Sequence, residues 1–258
     1  MSTFKYINKL KGQRILIFGA TQGMGYAVAE ASIEHEANII ISSSNPDKLS
    51  KAVERLRKSY PQASKEQIST ITCDLSQIDG MEERLREVLK TVSEDGAKPI
   101  DHIVSTAGNQ FDLADGIKSV TMDIMHKTMS VRLLAPVFLG KIIATSSYFN
   151  KSYNSSMTFT GGSAHIRPPP GWSVVALISG GIEGLIKGLA VDLAPVRVNV
   201  VQPGAIDTES FTGLPEQIKD NVLHHSVDHT AVWISYAKRT PTFIRAHNAS
   251  TPPPKTRF

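Results

Sequence analysis

The chain has 258 residues, 41% hydrophobic and 20% charged, ordinary proportions for a soluble globular protein with core enough for one large domain or two small ones. Its net charge is +4, but Lys238, Arg239, Arg245, Lys255 and Arg257 all follow the last acid, Asp228; the 23 basic and 24 acidic residues before them make a neutral body, against a nucleic-acid partner. A single cysteine, Cys73, excludes an internal disulfide, and a polar start with no apolar run near the roughly 18 residues that span a bilayer gives the expectation of a cytoplasmic protein without a membrane partner.

Arg14–Phe18 (RILIF) predicts a short buried strand that leaves into GATQGMG. The next stretch, YAVAEASIEHEA, has helical spacing, and Ala37–Ser42 is a second strand. Asp47–Ser59 is amphipathic, with Leu49, Val53 and Leu56 on one stripe. Ile68–Cys73 predicts a third strand, Met81–Val92 a helix and Ile100–Ser105 a fourth strand. A long helix carrying Pro136 is expected over Met122–Ala144, a fifth strand over Ser156–Thr160, a helix over Leu177–Leu193 and a sixth strand over Arg197–Val201. Strands alternating with helices of this length build βαβ units, so the expected fold is α/β, one doubly wound parallel sheet with helices on both faces. No repeat or linker divides the chain; one domain is expected over 1–223, followed by an atypical basic tail rich in Pro and Thr over 224–258.

Gly19, Thr21, Gln22, Gly23, Met24 and Gly25 lie in a loop that follows a strand and opens a helix. Glycines there permit a tight turn and bring backbone N–H groups to a pyrophosphate at the positive helix end, although the spacing is G-x-x-x-G-x-G rather than the commoner G-x-G-x-x-G. A carboxylate at the end of the second strand would bind the ribose 2′-OH of NAD and repel a 2′-phosphate. The sequence has Ser42, Ser43, Ser44 and Asn45 there, with Lys48 one turn on, which favours NADP(H). Asp47 is expected to be an ordinary first-turn helix acid.

The GATQGMG loop resembles that of the short-chain dehydrogenase/reductase family, and three further motifs follow in order. Cys73-Asp74-Leu75 is similar to the family's adenine-contacting Asp-Leu, Ser105-Thr106-Ala107-Gly108 to its Asn-Asn-Ala-Gly, and Asp192–Gly204 to its late signature. The resemblance, over roughly 10–210, implies a Rossmann-type sheet binding a nicotinamide cofactor, with contacts from Asp74, Leu75, Ala107, Gly108, Pro203, Gly204, Ile206 and Thr208. It also implies a homodimer or homotetramer through the two long helices. No metal is expected.

In the family, Tyr protonates the substrate oxygen, Lys lowers the Tyr pKa and holds the ribose, Ser polarises the carbonyl and Asn completes a proton relay. Here Val175 and Ser179 stand at the Tyr and Lys places, and no Tyr-x-x-x-Lys occurs anywhere. Arg132 stands at the Asn place, and Ser163 is displaced by one residue from the Ser place. With Arg167-Pro-Pro-Pro-Gly171-Trp172, this resembles a fungal branch of specialised metabolism that has lost Tyr and Lys. Some members reduce iminium-type intermediates and guide a Diels–Alder cyclisation, carrying Pro-Asp-Pro-Gly-Trp in that loop; here Pro169 replaces the Asp.

The expected catalytic residues are therefore Ser163 as a hydrogen-bond donor to substrate, Arg132 for charge contacts to the cofactor, and His165 either as an acid or as a solvated loop residue. Trp172 either walls a substrate pocket or packs the loop. Three functions stay open: an NADPH-dependent reductase of a bulky small-molecule substrate, a non-redox NADP-binding cyclase or pseudoenzyme, and an inactive product of an aberrant C-terminus. The last arises because residues from His224 onward lack the family's Ala-rich helix and final Gly-Gly, resembling either translation through a shifted frame or intron, or a diverged ending.

Overall fold

Six strands lie side by side in a computed structural model that describes residues 9–108 and 116–204. In chain order they are β1 (Arg14–Phe18), β2 (Asn38–Ser43), β3 (Ile68–Thr72), β4 (His102–Ser105), β5 (Ser156–Thr160) and β6 (Arg197–Val201), arranged β3-β2-β1-β4-β5-β6 with every neighbouring pair parallel. The chain therefore winds outward from β1 to one edge, returns, and winds from β4 to the other, leaving a crevice between β1 and β4 at the strand ends. Phe18 pairs with Ser42 on one side and Ser105 on the other, so the expected site residues after β1, β2 and β4 emerge at the same end.

The β-branched runs of β1 and β2 are buried on both faces, as a sheet covered by helices requires. On one face, α1 (Gly23–Glu34) and α2 (Pro46–Ser59) enclose a core of Ile15, Ile17, Ile39, Ile41, Leu49 and Leu56. Asn45 caps α2 by accepting the Lys48 backbone N–H at 2.9 Å, with Pro46 pre-set at the first turn. On the other face, α3 (Met81–Val92), α5 (Ala135–Thr145) and α6 (Ser173–Asp192) cover a larger core around Leu16, Phe18, Leu85, Ile103, Leu139 and Phe159.

Three expectations are corrected. The single helix expected over 122–144 is α4 (Met122–Met129), a π-helical turn over Ser130–Leu134, and then α5. Pro136 has no N–H to give the Arg132 carbonyl, and Ala135 N–H reaches back to the Ser130 carbonyl, so the turn widens. The helix α6 begins at Ser173, four residues before Leu177, because Gly171 at φ +83° and the Trp172 N–H on Pro169 O end the loop there. The expectation of no bilayer-length apolar run also fails by composition: Met122–Thr145 and Ser173–Asp192 have hydropathies of 1.4 and 1.7. Both lie on the sheet and give it Val131, Leu139, Ile142, Ile182 and Ile186 as core. The expected boundary at 223/224, and the tail beyond it, lie outside the described residues.

At the opposite end of the strands, His102 is buried on β4 between the Ser156 hydroxyl, 2.9 Å from Nδ1, and the Gln13 side chain at Nε2. Burial pulls its pKa from 6.5 down to about 4. As pH falls through the ordinary histidine range the unfolded chain takes up a proton that the folded chain refuses. The stability contribution is therefore complete above about pH 6.5 and lost towards pH 4. Urea titrations should show this residue removing on the order of 3 kcal/mol across that window, and His102→Gln should flatten the pH dependence while retaining a hydrogen-bonding side chain.

Candidate functional site

The crevice is shaped first by missing side chains. Gly19 has φ +83°, and a Cβ on it would stand 2.7 Å from Ala107 N. A Cβ on Gly25 would stand 2.4 Å from Gly19 O and Thr106 Oγ1, whose hydroxyl donates within 3.2 Å of the Phe18 and Gly19 carbonyls. The loop from β1, the start of α1 and the end of β4 thus meet backbone to backbone. Gln22 is the N-cap of α1 without a side-chain cap, Gly23 has φ +55°, and the first turn of α1 holds no acid. Its amide ends and dipole are those an anion would meet beside Thr21, Gln22, Gly23 and Met24.

At the end of β2, Ser42 is fully buried and its hydroxyl has no hydrogen-bond partner among the described residues. Ser43 is half-buried and accepts Asn45 N–H at 3.3 Å, while Ser44 and Lys48 are exposed. Asp47 sits in the first turn of α2, exposed, where a helix acid belongs. Past β3, Asp74 Oδ1 accepts both the N–H and the hydroxyl of Ser76, at 2.8 and 2.7 Å, and Leu75 is buried. Cys73 beside them is buried, its thiol pushed up to about 11 by desolvation.

Arg132 lies at the middle of the π turn, and its guanidinium fills the space over Gly108: a Cβ there would be 2.0 Å from Nη2. Burial lowers the Arg132 pKa, although a guanidinium is intrinsically too basic to serve as a proton donor at neutral pH. The structure thus brings Arg132, Ala107 and Gly108 together at the end of β4.

At the places of the missing Tyr and Lys, Val175 and Ser179 are buried on α6 one turn apart. A Cβ on Gly162 would stand 3.3 Å from Ser179 Oγ, so it is Gly162, rather than the exposed Ser163, that faces the lysine place. Ser163 opens a short 3₁₀ turn (Ser163–His165), its N–H donating to Pro203 O at 3.0 Å. His165 is turned towards α6: Nε2 is 2.6 Å from Glu183 Oε2, and Nδ1 is 3.0 Å from Gly162 O. Trp172 is half-buried at the loop's end, and the Gly171 backbone meets Gly116, a Cβ on which would stand 2.8 Å from Gly171 Cα. Pro203 and Gly204 follow β6, half-buried; Ile206 and Thr208 lie outside the described residues. Sequence reasoning missed Glu183 and Gln202. Glu183 precedes Lys187 by four residues, a spacing that reads as a surface ion pair, and Gln202 stands inside a motif noticed only for its Pro-Gly.

Residues 6–234 match the family model of an SDR-like Rossmann domain. The sequence is 39% identical over 199 residues to the short-chain dehydrogenase/reductase malC of Malbranchea aurantiaca, covering 77% of this chain and 74% of that protein. It is 35% identical over 223 residues to the short-chain dehydrogenase/reductase fsr5 of Gibberella fujikuroi, covering 86% and 82%. The solved structure of the MalC reductase/Diels-Alderase from M. aurantiaca matches with a TM-score of 0.73 at 37% identity, over 83% of this chain and 81% of that one. A short-chain dehydrogenase from Burkholderia cenocepacia, solved in complex with NADP, shares the fold at a TM-score of 0.66 and 24% identity, over 78% of each chain.

Two glycine variants should separate the roles of this backbone junction. Gly19→Ala drives a Cβ into backbone at a positive φ and should cost about 2 kcal/mol or more in urea unfolding. Gly108→Ala meets only the far end of the Arg132 side chain; it should stay within about 1 kcal/mol of wild type while weakening nucleotide binding, measured by fluorescence titration.

Proposed function

The chain belongs to the short-chain dehydrogenase/reductase family, and from that premise we propose that it is an NADPH-dependent reductase of a bulky specialised metabolite, transferring hydride without the family's Tyr–Lys proton donor. The observation that carries this is the pairing of an intact nucleotide crevice with buried Val175 and Ser179 at the two proton-donor places. The relatives malC and fsr5, both named as short-chain dehydrogenases/reductases, support the reaction class.

The residues fit the cofactor. The Gly19–Gly25 junction would present the start of α1 to a pyrophosphate, and Asp74 and Leu75, which follow β3, would meet the adenine. Ser42–Ser44 with Lys48 would hold a 2′-phosphate, with no carboxylate at the strand end to repel it. Arg132, over Gly108, would meet the ribose and phosphate charge, and Pro203, Gly204, Ile206 and Thr208 would line the nicotinamide side. When bound, NADPH supplies the hydride. A substrate carbon already made electrophilic by a cationic C=N accepts that hydride to give a neutral amine, so atoms and charge balance with no proton added. Val175 contributes no proton and keeps this part of the wall dry, while Ser163 offers one hydroxyl to the substrate. Without an acid of suitable pKa at these places, a simple ketone would leave an unprotonated alkoxide, which disfavours alcohol dehydrogenase chemistry.

The exposed apolar residues Met122, Val137, Leu177 and Val191 on the two long helical segments support association into a homodimer or homotetramer. The single-domain division at residue 223 and a cytoplasmic location are retained as part of this proposal.

Titration of the protein with NADPH and NADH, followed by tryptophan fluorescence, tests the cofactor assignment. NADPH is expected to bind in the micromolar range and about tenfold more tightly than NADH, a difference of about 1.4 kcal/mol. Soluble folded protein that binds neither would sink the assignment. Stoichiometric loss of NADPH on adding a cyclic iminium salt, and none with the matching ketone, is the outcome expected of the reaction.

A further inference from the structure

The turn that leaves β5 is held by a closed ring of polar contacts that starts and ends on one residue. Gly162 N–H donates to Gln202 Oε1 at 3.0 Å, and Gln202 Nε2 donates to Glu183 Oε2 at 3.0 Å. His165 Nε2 lies 2.6 Å from the same carboxylate oxygen, and its Nδ1 lies 3.0 Å from Gly162 O, which closes the ring. Lys187 holds the other carboxylate oxygen at 2.9 Å. The side chains of Glu183 and His165 are 23% and 17% exposed, so the ring is largely withdrawn from water. Gly161 completes the fit, since a Cβ there would stand 2.6 Å from Gln202 Oε1.

Four elements meet in this ring: the exit of β5, the 3₁₀ turn, α6 and the exit of β6. An exposed i,i+4 Glu–Lys pair contributes a few tenths of a kcal/mol and fixes nothing beyond its own helix. Glu183 differs because one oxygen receives groups from two other segments. Gln202 is the residue before Pro203-Gly204, and Pro203 O takes the Ser163 N–H, so the same ring fixes both segments. Neither Val175 nor Ser179 can reach across the site as a long charged side chain would, which leaves the backbone on this side to be held by other means.

We propose that Glu183 is a positioning residue: through Gln202 and His165 it fixes the Gly161–Ser163 and Gln202–Gly204 segments, which run side by side and beside which the nicotinamide half of the cofactor would lie. This rests on the NADPH assignment above. Both Glu183 carboxylate oxygens are already engaged, by Gln202, His165 and Lys187, so Glu183 acts through these residues rather than on cofactor or substrate. Its removal is therefore expected to loosen the nicotinamide end of the crevice and leave the adenine end intact.

The experiment compares wild type, Glu183→Leu, Glu183→Gln and Gln202→Leu in two measurements. Hydrogen–deuterium exchange read on peptides covering 160–166 should speed up about tenfold in Glu183→Leu and Gln202→Leu, with β1 and β2 unchanged. Glu183→Gln keeps an acceptor oxygen and should stay within about threefold. Binding of NADPH should weaken about fivefold in the two leucine variants, while 2′,5′-ADP, which stops short of the turn, should change less than about twofold. Unchanged exchange at 160–166 in both leucine variants overturns the ring. Equal weakening of NADPH and 2′,5′-ADP, or equal NADPH binding by wild type and variants, overturns the positioning role. Wild type that binds neither nucleotide overturns the cofactor assignment itself and the positioning role with it, a result distinguishable from the others because it appears before any substitution.

Discussion

The structure is organised by a contact between backbones. Where β1 ends, the chain must turn into α1 while passing within a side chain's width of the end of β4, and only glycine at 19 and 25 leaves that width. The central strand can then pair with β2 and β4 together, placing the ends of three strands around one crevice. Thr106 adds its hydroxyl to the Phe18 and Gly19 carbonyls and fastens the same junction from the other side. Each later element of the site, from the serines after β2 to Arg132 over Gly108, is located relative to this meeting point.

Away from it, the active-site end is built differently from the family pattern that the sequence resembles. The long polar side chains that would cross the site from α6 are replaced by a buried valine and a buried serine. Order at that end comes from hydrogen bonds to the backbone of Gly162 and from close glycine contacts between residues 116 and 171. On the proposed function, Arg132 supplies charge where the family pattern has asparagine but releases no proton at neutral pH, so positioning would replace proton transfer. Chemistry of this kind suits a substrate that arrives already activated.

Much of this was legible in the sequence, for identifiable physical reasons. The strands β1, β5 and β6 and the helix α3 have the expected bounds because their apolar periods are clear and their flanks carry turn residues. The glycine loop was legible because backbone conformation leaves its mark directly on residue type. The π turn was not: Pro136 was visible, but a proline inside a helix can kink, break or widen it, and only packing decides. The start of α6 was masked by a proline-rich loop that gave no sign of where it ended. Glu183 and Gln202 were invisible for a deeper reason. A ring of polar contacts across four elements leaves no spacing pattern in the chain, and one of its members wore the signature of a helix surface pair. His165 was seen as a candidate, but its orientation towards α6 rather than into the crevice is a property of the fold alone.

The wide turn at Ser130–Leu134 carries a consequence for how such a site can change over time. A π turn takes in one residue more than an α-helical turn while the segments on either side remain helical. Here the apolar residues Val131, Ala135, Leu139 and Ile142 keep their place on the sheet, and the surplus is absorbed where Arg132 swings over Gly108. The core and the charged group are therefore under separate accounts of selection. The helix can gain, lose or exchange the residue it presents to the crevice without re-registering its buried stripe, so a lineage carrying this bulge can explore new site chemistry while its fold stands still.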